Sequence, residues 1–489
     1  MLQRPTGHEL RLAALGGVSG VAGSYAVSGY TPSFVVAPID ALVVSLTPGA
    51  VVQFVIENVG SAGHLLHIAL SLALAVGLFA GVTLAGLRLV VGAGSRLSGG
   101  LLSGLLSWVA ATATTGAPLL AVGAAAPVGL FVALAPLDRT RPRFDASRRR
   151  AIGAVAGFAG VSAVTGTLLR DDGSLAAAPN TAGVEEQLQA AEGRSLSVNN
   201  ADLTGLVSGV REFYNTDIAE FDPEITAEEW SMTITGETGA DDLTVDYGDV
   251  TGMPAEHRYL TLRCVGEQLN GHKLDTAVWT GTPIAPLLDE VDPAGDCDCV
   301  LLRGEDGYFV RYPTEVLRTG FLTWGMNGQE LPTSHGHPVR VLIPGHWGET
   351  NVKWLTEIEL LDEPVDGYWE RRGWQGTGTV TTVAKLWDEG ITPLSDGRME
   401  LAGHAYAGLR GIQRVEVSTD GGDSWTDATL SEPLPGDDVW RQWRHRYDPD
   451  GAHEVVVRAV DRDGNVQTEA ESNPAPTGAT GWVRRTIDA

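Results

Sequence analysis

The stretch Tyr259-Leu260-Thr261-Leu262-Arg263-Cys264 has the side-chain alternation of a β-strand. A second such run, Arg340-Val341-Leu342-Ile343, is stopped by Pro344-Gly345. From Glu212 to about Asp366, similar short runs alternate with turns and brief helical patterns. This alternation predicts a mixed α+β domain.

Beyond that region the pattern changes to period-two strands with tight turns. Val415-Glu416-Val417-Ser418 leads into Thr419-Asp420-Gly421-Gly422, and the run from Val455 to Val460 is closed by an Asp-Gly turn in the same way. Short strands closed by Asp-Gly turns predict an all-β sandwich of immunoglobulin type. The predicted organisation is a transmembrane anchor domain at 1–170, a linker rich in Ala, Gly, Asn and Ser at 171–210, the mixed domain at 211–375 and the sandwich at 376–489.

The N-terminal part is predicted to be an all-α transmembrane bundle of five helices. Its charge-free runs are 12–39, 58–87, 97–137 and 151–169. A bilayer core needs roughly 20 apolar residues per helix, so the third run is too long for one span and is expected to break at Thr115-Gly116-Ala117-Pro118. The short piece from Ala41 to Ile56 is placed at the outer interface.

Arginines in the short loops predict the orientation. Arg4 and Arg11, Arg88 and Arg96, and the cluster from Arg139 to Arg150 all fall on one side of a five-span bundle. This predicts a multi-pass plasma-membrane protein with a cytoplasmic N-terminus and an extracytoplasmic C-terminal part. Ser147-Arg148-Arg149-Arg150 resembles a twin-arginine export signal, although a plain positive-inside anchor has the same composition.

Histidine is sparse in the predicted spans. His64 and His67 lie in one span, and a membrane haem needs axial histidines that face each other across helices. We therefore predict packing or interfacial histidines and no haem in this chain.

The chain from residue 171 onward is strongly acidic. Residues up to Arg170 hold 5 of the 61 Asp plus Glu and 11 of the 34 Lys plus Arg, so residues 171–489 carry 56 acidic and 23 basic groups, a net charge of −33. Lysine occurs only at Lys273, Lys353 and Lys385. This composition predicts a halophilic source and argues against nucleic acid as a partner. The three cysteines form no disulfide framework, and Cys297 and Cys299 are interpreted as a solvated turn or half of a metal site.

Four segments within residues 212–486 resemble the sulfite-oxidase family of molybdopterin oxidoreductases, including its C-terminal dimerisation domain. Their order and spacing together carry the resemblance. The segments are Leu262-Arg263-Cys264-Val265-Gly266; Trp279-Thr280-Gly281-Thr282-Pro283; His335 to Arg340 with Pro344-Gly345 and Asn351-Val352-Lys353-Trp354-Leu355; and Val415 to Trp425 with Gly478 to Trp482.

The resemblance implies a molybdenum-molybdopterin cofactor with Cys264 as the metal ligand, and a thiolate is the soft ligand that a redox metal selects. Arg340 suits a phosphate because its guanidinium donates two parallel hydrogen bonds. The implied pterin and phosphate ligands are His335, Arg340, Asn351, Val352 and Lys353, with looser matches at Phe213, Tyr214 and Asp306.

The substrate pocket departs from the family pattern. Sulfite oxidases carry an Arg-Asn-His near the domain start, an Asp-Tyr after the Lys-Trp-Leu motif and a late arginine. Here the first segment is Phe213-Tyr214-Asn215-Thr216-Asp217 and the second is Arg372-Gly373-Trp374, which makes Arg372 and Trp374 the candidate catalytic residues beside Cys264.

The expected function is oxygen-atom transfer to sulfite or a related small oxyanion, with electrons passed to a separate carrier such as a cytochrome or copper protein, in a possible homodimer. The alternatives are a methionine-sulfoxide-like reductase and a non-catalytic, membrane-tethered binding protein.

Overall fold

The computed structural model describes residues 4–59, 63–93, 95–135 and 175–488. These residues form two compact units. We call them the helical unit, which takes in residues up to 48, those from 58 to 135 and 218–224, and the β-rich unit, which takes in residues 49–57, 175–217 and 225–488.

The N-terminal part of the chain is helical, as predicted. Three of its helices, α1, α4 and α5, are long and apolar enough to cross a membrane, and α2 with α3 passes the same test as a pair bent by 104°. The helices are α1 (Gly7–Ser28), α2 (Ala37–Leu46), α3 (Gly49–Asn58), α4 (Gly63–Ala93), α5 (Arg96–Thr115) and α6 (Val122–Leu134).

The five-span prediction is therefore only partly supported. The break at Thr115 to Pro118 is confirmed, because α5 ends at Thr115 and Gly116 caps it in the left-handed conformation. The run 12–39 is not one helix, since α1 ends at Ser28. The fifth predicted span, at 151–169, and the Arg148 to Arg150 segment lie outside the described residues.

Glycines bring the long helices of the helical unit together. A Cβ atom on Gly17 of α1 would overlap the carbonyl oxygen of Val76 in α4. One on Gly23 of α1 would overlap the carbonyl oxygen of Gly123 in α6. Small residues thus allow close backbone approach, as in membrane helix pairs.

The first part of the β-rich unit is a mixed α+β domain, as predicted. One sheet has the order β2-β1-β10-β5-β6, in which only β1 and β10 pair in parallel, and the second has the order β3-β4-β7-β8 with β9 added to β7. The strands are β1 (Ser231–Gly236), β2 (Leu243–Asp246), β3 (Glu256–Arg263), β4 (Leu274–Pro283), β5 (Cys299–Gly304), β6 (Phe309–Pro313), β7 (Phe321–Met326), β8 (Gln329–Glu330), β9 (Arg340–Leu342) and β10 (Leu355–Leu361). Helices α8 (Tyr247–Gly252), α9 (Ala285–Val291) and α10 (Thr314–Arg318) complete it.

Two antiparallel sheets form the C-terminal part and enclose one hydrophobic core that includes Leu401, Val415, Trp443 and Val457. Their orders are β11-β13-β17-β16, with β12 on β13, and β15-β14-β18-β19. The strands are β11 (Val383–Ala384), β12 (Ile391–Pro393), β13 (Met399–Tyr406), β14 (Ile412–Ser418), β15 (Thr426–Asp427), β16 (Thr429–Leu430), β17 (Arg441–Tyr447), β18 (His453–Asp461) and β19 (Val483–Ile487). The immunoglobulin-type connection stays a prediction.

The segment predicted as a linker packs against the rest of the β-rich unit. It contains α7 (Val184–Arg194), and Val184, Ala191 and Leu206 are buried in a core shared with Trp440. The prediction of a linker rested on the Ala- and Gly-rich composition of this segment. Small side chains suit close packing as well as flexible linkers, so composition alone does not separate the two.

Candidate functional site

Cys264 is the first residue after β3. The Cys264 N–H donates to the carbonyl oxygen of Lys273 at 3.0 Å, which adds one more rung beyond the last β3–β4 pair, Arg263 with Leu274. Residues 264–273 therefore form the closed end of a hairpin whose strands are almost wholly buried. We call this segment the Cys264 loop.

A fully buried ion cluster, formed by Arg263, Glu267 and Lys385, lies at the base of the Cys264 loop. Glu267 Oε1 lies 2.8 Å from Arg263 Nε and 2.7 Å from Lys385 Nζ, and all three side chains are at most 2% exposed. Glu267 Oε2 accepts from the Lys273 N–H at 3.0 Å. The carboxylate thus ties both ends of the loop together.

The C-terminal sheets hold the same loop through residues next to Lys385. Asn270 exchanges two hydrogen bonds with the Leu386 backbone, at 2.6 and 3.0 Å. Trp387 donates from Nε1 to the Gly271 carbonyl at 3.0 Å and stacks on His272 with ring centroids 4.9 Å apart. The position of Cys264 therefore depends on both parts of the β-rich unit.

Cys264 and Trp374 both border Gly266. A Cβ atom on Gly266 would lie 3.8 Å from the Cys264 sulfur and 3.8 Å from the Trp374 ring. Burial raises the pKa of the Cys264 thiol, and the positive charge of Lys273 opposes that rise. Trp374 is buried, whereas the guanidinium of Arg372 lies 3.6 Å from the centroid of the Tyr368 ring and donates to the Tyr368 carbonyl at 2.8 Å.

Arg340 and Lys353, with His335, form a second cluster of buried cationic side chains. Arg340 is 4% exposed and donates to the carbonyls of His335 and Asn351 at 3.0 and 3.1 Å, while its Nε has no hydrogen-bond partner in the described structure. Burial, followed by the charges of Lys353 and Arg340, lowers the pKa of His335 to about 3. The cluster is a concentrated positive site with an open donor.

Acidic and amide groups hold Lys353 from the other side. Its ammonium pairs with Asp217 at 2.8 Å and donates to Asn215 and to the Ser334 carbonyl. Asp306 lies nearby, and burial raises the pKa of its carboxyl to about 6. Lys353 and Val352 also border Gly304, where a Cβ would meet the Lys353 carbonyl oxygen at 2.6 Å and Val352 at 3.4 Å.

Phe213 and Tyr214 connect the two clusters. Their rings stack at 5.5 Å, and Phe213 meets the His335 ring edge-on at 5.6 Å. The Tyr214 hydroxyl lies 3.0 Å from the position of a Cβ on Gly348, and burial keeps the pKa of Tyr214 well above its ordinary value. The predicted residues Phe213, Tyr214, His335, Arg340, Asn351 and Lys353 are therefore brought together.

Comparison with known proteins decides the family. Residues 219–369 match the oxidoreductase molybdopterin binding domain, and residues 379–475 match the Mo-co oxidoreductase dimerisation domain. The chain belongs to the sulfite-oxidase-like molybdenum-cofactor oxidoreductases. It is therefore a molybdenum-dependent oxidoreductase, as the sequence predicted.

Individual proteins that resemble this chain support its assignment to the family. The chain is 29% identical over 305 residues to mitochondrial sulfite oxidase of Homo sapiens, covering 50% of this chain and 55% of the relative. It is 28% identical over 257 residues to the NADPH nitrate reductase of Fusarium oxysporum, covering 40% of this chain and 28% of the relative. It thus spans about half the length of the sulfite oxidases that it matches.

One solved structure shows the same fold as the molybdenum enzyme. The sulfane dehydrogenase SoxCD from Paracoccus pantotrophus aligns with a TM-score of 0.50 at 20% identity, covering 59% of this chain and 82% of that chain. At that identity the likeness concerns the fold.

The residues of the molybdenum enzyme fit a phosphate-bearing pterin and its metal. The unpartnered Nε of Arg340 is a buried donor, and the charges that depress the His335 pKa attract an anion such as a phosphate. Cys264 is the free cysteine of the described residues and supplies a soft sulfur donor.

Sequence reasoning missed two groups at this site. Burial raises the pKa of Glu349 to about 8, and the charge of Glu370 adds to that rise. The second missed group is the ion cluster with Lys385. The rarity of lysine was a signal for this cluster. The chain otherwise uses arginine, and its three lysines, Lys273, Lys353 and Lys385, all lie at this site.

The Asp-Cys-Asp-Cys turn also differs from its interpretation. Cys297 and Cys299 are joined in a disulfide, which the sequence analysis did not anticipate. Within the described residues no group of three or more His, Cys, Asp or Glu side chains is arranged to hold a metal ion. The alternative of half a metal site is therefore not supported in this structure, whereas the interpretation as a solvated turn agrees with the exposed Asp296 and Asp298.

Proposed function

We propose that the enzyme transfers an oxygen atom from water to sulfite or a related small oxyanion and passes two electrons to a separate carrier, such as a cytochrome or copper protein. For sulfite, one sulfite and one water give one sulfate, two protons and two electrons. The observation that carries the proposal is the half-buried Cys264 thiol, on a loop held by buried ions, together with a buried cationic cluster in which Arg340 has a nitrogen without a partner in the described structure.

Each predicted site residue has a proposed task. Cys264 holds molybdenum, and the cofactor supplies two-electron oxygen-atom chemistry when it is bound. Arg340 and Lys353 hold the phosphate, since both place positive charge in the same buried cluster. The pterin is held by Phe213, Tyr214, Asp306, His335, Asn351 and Val352.

Trp374 and Arg372 are the proposed contacts to substrate. Trp374 borders Gly266, as the Cys264 sulfur does, and excludes water, but it offers no hydroxyl to a substrate oxygen. Arg372 still has donors beyond the one bonded to Tyr368 and can bind an oxyanion while its guanidinium rests on the Tyr368 ring. This pocket differs from that of sulfite oxidases, so related oxyanions remain within the proposal.

The substrate proposal draws on the relatives' names, which are those of sulfite oxidases and nitrate reductases, both of which act on small oxyanions. They do not favour the sulfoxide reductase or the non-catalytic alternative. The test is to purify the full chain, measure molybdenum by mass spectrometry, and assay sulfite with an artificial acceptor against methionine sulfoxide with a reduced dye. Sulfite oxidation in the molybdenum-containing protein supports the proposal, and turnover of methionine sulfoxide alone contradicts it.

We also propose a multi-pass plasma-membrane location with the N-terminus in the cytoplasm and the catalytic part outside. The apolar helices α1, α4 and α5 support membrane insertion, and the loop arginines support the orientation. The match to a dimerisation domain supports a homodimer formed through an immunoglobulin-like sandwich. Replacing Arg148 and Arg149 by Lys keeps the charge. It should block export of the active domain if the twin-arginine route is used, and leave export intact if they only anchor the topology.

A further inference from the structure

A chain of polar side chains runs through the helical unit. Tyr30 donates from its hydroxyl to Glu220 Oε1 at 2.5 Å, and Glu220 Oε2 lies 4.0 Å from His67 Nε2. The other ring nitrogen of His67 lies 2.9 Å from Asp40 Oδ1, which also accepts from Ser71 Oγ at 2.8 Å. Asp40 is 2% exposed, although α2 and α4 are otherwise strongly apolar. We call these five residues the Asp40 chain.

An apolar cavity of about 420 Å³ begins where the Asp40 chain ends. Four aromatic rings line it, from Tyr25, Tyr30, Phe34 and Phe221. Tyr30 belongs to both features, because its ring lines the cavity while its hydroxyl bonds Glu220. Leu72 of α4 lines the cavity and is 37% exposed, so the cavity opens at the surface of the unit.

We propose that this cavity binds the head ring of a lipid-soluble quinone. A quinone ring is flat and apolar on its faces, which suits aromatic walls, and it carries carbonyl oxygens that accept hydrogen bonds at its edge. The volume lies within the range of small-molecule sites. The hydroxyl of Tyr30 lies at the cavity wall, and it can donate to a quinone oxygen once its single proton turns away from Glu220 Oε1, to which it donates in this structure.

The Asp40 chain favours a quinone over a lipid acyl chain as the occupant. A hydrocarbon tail makes no use of polar groups, and ionisable residues among membrane helices are costly unless they serve a function. Reduction of a quinone to a quinol takes two electrons and two protons. Tyr30, Glu220 and His67 are groups that can exchange protons; Tyr30 bonds Glu220 at the cavity wall, and Glu220 lies 4.0 Å from His67.

The electron count also agrees with the proposed function. One sulfite, one water and one quinone balance as one sulfate and one quinol, with two electrons and two protons exchanged. The quinone would therefore be an acceptor dissolved in the membrane, beside the soluble carrier proposed above. That link rests on the proposed function, whereas binding of the quinone does not.

Binding is tested with the full chain in nanodiscs of quinone-free phosphatidylcholine, using decyl-benzoquinone as the probe and equilibrium dialysis as the readout. We expect saturable binding, close to one per chain, above that of empty nanodiscs. Leu72→Trp should fill the cavity and weaken binding by about tenfold or more. Leu74→Trp is the matched control, since Leu74 is also on α4 and exposed but lies outside the cavity lining.

A second variant covers the case in which Leu72→Trp misfolds. Tyr30→Phe keeps the ring and removes the donor, and should weaken binding by about three- to tenfold. Cys264→Ser should bind the probe like the wild type, so loss of molybdenum activity and loss of quinone binding are separable. Binding no greater than in empty nanodiscs, equal effects of the two tryptophan variants, or displacement of the probe by decane would overturn the proposal.

Discussion

Two buried ion clusters lie close to Cys264, and they differ in whether every buried donor has a hydrogen-bond partner. In the first, Glu267 is held between Arg263 and Lys385, and each charge has an opposite charge within 3 Å. In the second, Lys353 is paired with Asp217, but Arg340 has a buried nitrogen with no partner in the described structure. Burial, followed by the charges of Lys353 and Arg340, lowers the pKa of His335 to about 3. The second cluster can therefore accept a further hydrogen-bond acceptor, whereas the first has no such open donor.

The difference separates structural charge from ligand-binding charge. Removing one member of a buried ion pair leaves the other charge uncompensated, so the first cluster should control stability. Replacing a member of the second cluster should lower the amount of cofactor that the protein retains. Replacing Cys264, which belongs to neither cluster, should affect catalytic activity alone.

The largest expected effect follows from Cys264→Ser, which exchanges the soft sulfur ligand for a hard oxygen. We expect molybdenum-dependent turnover to fall by on the order of 100-fold or more, while both ion clusters and the fold remain. Turnover, metal content and circular dichroism, measured side by side, decide this. Full activity in the serine variant would show that Cys264 is not the metal ligand.

Lys385→Met should be the most destabilising of these changes. It removes the ammonium that bonds Glu267 and two loop carbonyls. Glu267 keeps its pair with Arg263, so the loss comes from buried acceptors that lose a donor, and we expect about 3 kcal/mol in unfolding free energy. The loss should be the same in cofactor-loaded and cofactor-free protein, as measured by denaturant titration.

Arg318→Met is the matched control for Lys385→Met. It breaks an exposed pair with Asp289, in which the two side chains are 41% and 67% exposed, and should cost less than about 1 kcal/mol. If Lys385→Met is as mild as this control, or destabilises only the loaded protein, the first cluster is not the structural one.

Arg340→Lys tests the second cluster and should have a smaller effect on stability. A lysine keeps the charge but cannot bond the carbonyls of His335 and Asn351 while also reaching a phosphate. We expect cofactor retention through purification to fall by about tenfold, and the cofactor-free protein to lose no more than about 1–3 kcal/mol. If the variant retains as much cofactor as the wild type, Arg340 does not bind the phosphate.

Sequence reasoning located the second cluster better than the first. Arg340 and Lys353 lie within about a dozen residues in one motif, so local spacing indicates a common site. Lys385 and Glu267 are separated by 118 positions, and only the packing of the C-terminal sheets on the Cys264 loop brings them together. The sequence carries no local signal of that contact beyond the rarity of lysine.

The fold shows the same limit. Period-two strands and Gly-Pro breaks depend on neighbouring residues, so the mixed domain, the C-terminal sheets and the end of α5 at Thr115 were predictable. Whether residues 175–210 are a linker or part of a core depends on distant partners such as Trp440, and the composition cannot show that.

The surface carboxylates form a third set of charges, and the dependence of the melting temperature on salt tests whether their repulsion limits stability. Residues 171–489 carry a net charge of −33, so repulsion among carboxylates should exceed the loss of surface ion pairs, each worth only about 0–1 kcal/mol. Screening at molar salt shortens the Debye length to roughly 3 Å and removes most of that repulsion. We expect the melting temperature of the full chain to rise by roughly 5 °C between dilute buffer and molar potassium chloride.

Trehalose at the same osmolality is the control, because it changes hydration without screening charge. A melting temperature that stays flat or falls with salt, or rises equally with trehalose, would show that the acidic surface is not an adaptation to brine.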